Sequence, residues 1–269
     1  MTAAGRATAR DQVLALAPIA AASLASGSLL LVAPHLPIHA VAAQDLLAVI
    51  LGAGGALAAL HASSAGALRS AAAWISLGVA VSALVFLYVA TPGAGALPVQ
   101  VAALLVCGRI VGGSIGERVQ HAGHVLPATV VAAAADCASL LSPEGISHGI
   151  SQSDRALAVF ALAAPIPGSS AITFVLGIGD LIVIALLLGV ARKFGISARR
   201  VTIACVVALV AAFGASALFA APIPALVPIA IFANALVPPF RAVAKKDRTT
   251  TIVAVTVAVG LVVFVWLRR

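Results

Sequence analysis

The chain has 269 residues, 62% of them hydrophobic and 9% charged, with 16 Lys and Arg against 8 Asp and Glu, and its mean hydropathy is +1.18. No water-soluble domain carries that composition on its surface, so the bilayer is the solvent. The basic surplus sits mostly between apolar runs, where it signals membrane topology and argues against a nucleic-acid partner.

Apolar runs long enough to cross a hydrocarbon core of about 30 Å recur from end to end, and the alternating strands of a membrane barrel are absent. The expected fold is all-α, a polytopic transmembrane helix bundle. It forms one membrane domain over residues 1–269, with N-terminal helices in 1–113, a second group in 124–240 and a final helix at 250–267. In chain order the runs predict about nine spans, at 13–32, 46–60, 72–90, 99–112, 125–141, 171–190, 201–219, 223–237 and 250–267. The fourth and eighth are the shortest, and 156–164 reads as a partly inserted segment. The first run, behind Arg6 and Arg10, is long for a signal peptide and lacks a clear cleavage site, so it reads as a retained helix.

Arg6 and Arg10, Arg69, Arg118, the Arg192/Lys193/Arg199/Arg200 cluster and Arg241/Lys245/Lys246/Arg248 fall on alternate loops, which the positive-inside rule assigns to the cytoplasm. The loops between them, at 35–45, 91–97, 142–170 with only Arg155, and near Ala221, are poor in basic residues. This predicts a cytoplasmic N-terminus and an outer C-terminus, where Arg268 and Arg269 oppose the rule. Gly108, Gly112 and Gly116 repeat at every fourth position, as close helix contact requires. Arg109 reads as a side chain that snorkels to the cytoplasmic interface. Cys107, Cys137 and Cys205 lie in apolar runs without paired or metal-ligand spacing, and His121 and His124 lack a third ligand, so no metal site is expected.

Six of the acids, Asp11, Asp45, Glu117, Glu144, Asp154 and Asp247, lie in flanks or loops. Asp136 and Asp180 are deep in apolar sequence, where each costs about 2.5–3.5 kcal/mol on insertion scales and so marks a functional site. Asp136 lies twelve residues from His124 and Asp180 twelve from Arg192, a rise of roughly 18 Å from what should be the same membrane face. Adjacent antiparallel helices would bring the two carboxyls to one depth. Two carboxylates in a low-dielectric site cannot both ionise, so such a pair shares a proton. The ionised member can then activate a water while the protonated member donates to a peptide carbonyl. A proton relay, an ion site or a structural hydrogen bond would also use such acids.

Asp180 closes Gly177-Ile178-Gly179-Asp180, a GxGD sequence. Upstream, Ala135-Asp136 leads to Ser142-Pro143-Glu144-Gly145. Downstream, Pro224-Ala225-Leu226 and then Val227-Pro228 lie in an apolar segment that also holds Pro222. In this order the three resemble the first-aspartate helix, the GxGD motif and the PAL motif of the GxGD intramembrane aspartyl proteases, the presenilin and signal peptide peptidase family, in a divergent prokaryotic form. The resemblance covers roughly residues 125–237. The family's tyrosine before the first aspartate is Ala135 here. Four helices rather than five precede the first-aspartate helix, and one follows PAL.

The resemblance implies an aspartic endopeptidase of a prokaryotic plasma membrane, with Asp136 and Asp180 catalytic and no cofactor. Gly177, Gly179, Pro224, Ala225 and Leu226 would shape the site, and the partners would be the bilayer and transmembrane peptides. A type IV prepilin peptidase is disfavoured by Leu181-Ile182 after the motif, where a lysine is usual. A proton-coupled transporter using the same two acids is the alternative from another class, though no internal repeat makes Asp136 and Asp180 equivalent.

Overall fold

The computed structural model describes residues 9–38, 40–66, 71–90, 93–219 and 223–268. Arg6, Arg69, Pro222, Arg269 and the turn at Ala221 lie outside them. In chain order the elements are α1 (Ala9–Val32), α2 (Val41–Ser63), α3 (Ala71–Ala90), α4 (Leu97–Arg118), α5 (Val125–Leu141), α6 (Ile146–Ser151), α7 (Asp154–Phe160), β1 (Ala161–Pro165), β2 (Ile172–Gly177), α8 (Ile178–Lys193), α9 (Ala198–Phe219), α10 (Leu226–Leu236), α11 (Pro238–Arg241) and α12 (Arg248–Leu267). Among the described residues seven helices, α1 to α5, α9 and α12, are long and apolar enough to cross a membrane. Trp74, Ile75 and Phe86 on α3, and Ile252, Val257 and Phe264 on α12, point outward. Lipid is the solvent such faces require, and the chain is a multi-pass membrane protein of helical fold.

Two expectations change. The fourth span, read as 99–112, is a full 22-residue helix, because Ser114, Glu117 and Arg118 carry it past the apolar stretch. The helix read over 171–190 begins as a strand: β2 covers Ile172–Gly177 and the helix starts only at Ile178. Ile172, Thr173 and Val175 are β-branched and Phe174 is aromatic, while Gly177 and Gly179 weaken a helix interior. The segment 156–164 is shared between α7 and β1.

Two compact units divide the chain, one formed by Met1–Ser114 with Arg155–Gly189 and the other by Ile115–Asp154 with Val190–Arg269. The hairpin and the start of α8 therefore cluster with the N-terminal helices.

In the first unit β1 and β2 pair antiparallel from Ala161↔Gly177 to Pro165↔Ile172, with an irregularity between Leu162 and Ala163. Their turn needs Gly168, whose φ is +84°. Its N–H donates to the Ala33 carbonyl at 2.7 Å, and a Cβ there would strike the Ile38 carbonyl oxygen. Buried Gln100 on α4 anchors the entry to β1, donating from Nε2 to the carbonyls of Ala158 at 2.6 Å and Ala161 at 2.8 Å. Gly108 and Gly112 do bring helices close: a Cβ at 108 would lie 2.9 Å from Leu181 Cβ, and one at 112 would strike the Ile182 carbonyl oxygen.

Arg109 does not snorkel. It is 4% exposed, and it donates from Nε to Ser63 O at 3.3 Å and from Nη2 to Gly66 O at 2.9 Å. It thus places a cation on the last carbonyl of α2 and on the turn that follows, where the helix dipole favours one. Arg109→Met removes these charge-assisted bonds and is expected to cost about 2 kcal/mol, read as an earlier midpoint in a denaturant titration in detergent.

In the second unit α5 packs against α10 and α12, and α9 against α10. Polar contacts tie the loops that carry the basic residues. Arg192 bonds Glu117 Oε1 at 2.5 Å, Lys193 donates to the carbonyls of Glu117 and Val119, and His124 Nε2 lies 3.1 Å from Asp247 Oδ2. Arg118, Arg199, Arg200, Lys245 and Lys246 on these loops are exposed.

Candidate active site

Asp180 stands in the first turn of α8 rather than in mid-helix. The chain passes from β2 into α8 without a loop, and Asp180 Oδ2 accepts the Gly177 N–H at 2.9 Å. This is the return half of a capping box, in which the third residue's side chain reaches back to the residue before the helix. A carboxylate at a helix N-terminus is also favoured by the macrodipole. Both effects lower the cost that the sequence position implies. Gly179 is exposed, and a Cβ there would meet nothing within 4 Å. Its missing side chain leaves room beside the carboxyl and is not required by packing.

Asp136 is half-buried near the end of α5, and its Oδ1 accepts the Ser147 hydroxyl at 3.0 Å. Ser147 comes from α6, which folds back over the end of α5 because Gly145 lets the chain turn against Ser139. A Cβ at 145 would lie 2.6 Å from the Ser139 carbonyl carbon. The Ser147 N–H donates to Ser139 Oγ at 2.7 Å, which fixes the fold-back. Sequence reasoning missed Ser147. The polar Ser142–Gly145 exit was visible, but a serine eleven residues past an aspartate becomes a partner only when the chain reverses. Ser147→Ala is expected to change the rate of any Asp136-dependent reaction by roughly fivefold, the worth of about 1 kcal/mol of hydrogen bonding, with the thermal midpoint nearly unchanged.

Pro224 and Ala225 lead into α10, and Leu226 is its first residue. Two contacts set the direction of α10 against α5. Before α5, Gly123 lies against Ala242 and Val243, beyond α10. Within α5, Thr129 Oγ1 accepts from Asn234 Nδ2 at 2.9 Å. Forward along α5 is thus backward along α10. From the Thr129–Asn234 level, seven residues on is Asp136 and seven residues back is Val227, each a rise of about 10 Å. The PAL segment therefore ends level with Asp136.

In the second unit the PAL segment thus ends level with Asp136, and the first unit holds Asp180 with Gly177 and Gly179. Asp136 and Asp180 belong to different units. Cys107 and Cys205 are buried, Cys137 is half-buried, and all three are free thiols. No family model matches the chain, and no curated protein or solved structure matches it. The functional reading accordingly stands on these residues and their chemistry.

Proposed function

We propose that the chain is an intramembrane aspartyl endopeptidase of GxGD type. Asp136 and Asp180 share a proton and activate a water against a peptide bond of a transmembrane segment or remnant signal peptide, without a cofactor. The observation that carries this reading is the register of the second unit, which sets the PAL segment level with Asp136. Three motifs matching in order along the chain gain weight when two of them lie at one level of a helix pair. A helix that starts behind two prolines leaves backbone groups free to line a cavity at that level.

Further support comes from the way Asp180 is presented. A helical substrate must be unwound before water reaches its carbonyl. Among the described residues each strand of the hairpin pairs with one other strand, so an extended segment can add to the remaining edge, and β2 leads straight to Asp180. In this reading α8 and α10, 16 and 11 residues long, are the short members of a nine-pass, presenilin-like bundle beside the seven long helices. The N-terminus is cytoplasmic in a prokaryotic plasma membrane, and the Asp136 helix runs outward. Substrates then enter with a cytoplasmic N-terminus.

The test uses purified protein with a labelled transmembrane peptide and compares wild type with Asp136→Ala and Asp180→Ala. If both variants cut as well as wild type, or if solute or proton transport persists while no product forms, the reading fails. Gly179→Val adds a discriminating arm. Because the position is open, the thermal midpoint stays put, while kcat/KM falls by roughly tenfold where a substrate backbone must pass beside the carboxyl.

A further inference from the structure

We propose that Asn234 is a positioning residue: its hydrogen bond to Thr129 pins the register of α10 on α5, and so sets which peptide bond is presented at Asp136. The choice of bond rests on the protease reading, whereas the pin is a property of the two helices alone.

One turn from the Thr129–Asn234 pair, Ala133 on α5 and Ala230 on α10 are buried, and small apolar side chains pack almost equally well when one helix slides along another. A single polar pair in such an interface discriminates between registers, as a buried asparagine does in a coiled coil. Thr129 and Asn234 are 2% and 8% exposed. The Thr129 hydroxyl proton is directed to its own helix, with Val125 O at 2.9 Å and Leu126 O at 3.1 Å. That leaves an Oγ1 lone pair for Asn234 Nδ2, which also donates to Ala230 O at 2.7 Å. Both amide protons are satisfied in this register, and a slip would strand one in a low-dielectric interior.

Among the described residues no group donates to Asn234 Oδ1, which is buried. A residue serving stability alone has little reason to carry an orphaned acceptor into the membrane. Apolar substitution would remove that cost and also the pin. A slip of one residue would move the PAL segment about 1.5 Å along Asp136, and a slip of one turn about 5 Å.

Two readouts test this. Spin labels at Val131 and Leu236, which are 44% and 42% exposed and offset by about 6 Å along the helix axes in this register, report a slip by pulsed dipolar spectroscopy, with Cys107, Cys137 and Cys205 replaced by Ala. Thr129→Ser keeps the acceptor and the narrow wild-type distance distribution. Thr129→Val keeps the size, loses the acceptor, and broadens or shifts the distribution. Asn234→Leu does the same, and the double variant goes no further than either single one. In parallel, mass spectrometry of the cleavage products shows one pattern for wild type and Thr129→Ser, and added neighbouring cut sites for Thr129→Val with kcat reduced and KM kept. An unaltered distance distribution in Thr129→Val overturns the pin. A moved distribution with an unaltered product pattern overturns the role in cut-site choice. If the wild type yields no product, the protease reading and that role fall together, while the spin-label result still decides the pin.

Discussion

If the proposed dyad is correct, Asp136→Asn and Asp180→Asn are each expected to lower the rate of transmembrane-peptide cleavage by about 10³-fold, in the range of a lost general acid or base, with the double variant no slower than either alone. The substitutions keep local structure. With Asp180→Asn the new amide carbonyl can still accept the Gly177 N–H, and with Asp136→Asn it can still accept the Ser147 hydroxyl, so both variants should melt with the wild type. What the proposed dyad would lose is the ability to hold and exchange one proton between two carboxyls. Groups that act as a unit are non-additive, because removing either one already removes the whole. Multiplying rate losses would mean independent action and would sink the dyad. The shared proton also predicts a bell-shaped dependence of kcat/KM on pH.

Gly112→Leu is the structural counterpart and carries the largest expected loss of stability. A Cβ at this position would run into the Ile182 carbonyl oxygen and stand 2.9 Å from Ala185 Cβ, so backbone rather than a flexible side chain would have to yield. Overpacking of this kind costs about 1–3 kcal/mol, and a leucine belongs at the upper end. Because Asp180 opens the same helix, cleavage should fall more steeply than the folded fraction. Gly78 on α3 is the control: a Cβ there meets nothing within 4 Å, and Gly78→Ala should add about 0.5–1 kcal/mol by restricting the unfolded chain. Melting in detergent separates the cases. If Gly112→Leu and Gly78→Ala behave alike, the close approach of α4 and α8 is wrong.

The long helices were legible because membrane thickness imposes a length that hydropathy alone detects. The glycine spacing of α4 was legible for a similar reason, since a fourfold repeat of small residues has few uses inside a bilayer. The hairpin was hidden because residues 161–177 are as apolar as the helices around them, and hydropathy carries no information about backbone conformation. The cues were stereochemical: β-branched Ile172, Thr173 and Val175, with Pro165, Pro167 and Gly168 ahead of them. Missing the strand put Asp180 in mid-helix rather than in the first turn of α8. Arg109 was misread because a lone cation near a helix end suits an interface as well as it suits the buried carbonyls of another helix. Thr129, Ser147 and Asn234 had no signal of their own. Each acquires a partner only through a chain reversal or a helix register, which are facts about pairs of elements.

The interleaving of the two units constrains how the protein can be made. Met1–Ser114 is completed only by Arg155–Gly189, so a ribosome that has delivered the first four long helices still has an unfinished half in the membrane. Helix α5 then emerges and must wait for α10 and α12, which come last. At a synthesis rate of about 5–20 residues per second, both halves spend seconds with unmatched faces beside the insertion machinery. A truncation at residue 154 would strand both, and expressing residues 1–154 and 155–269 as two polypeptides would give fragments that fold only in each other's presence.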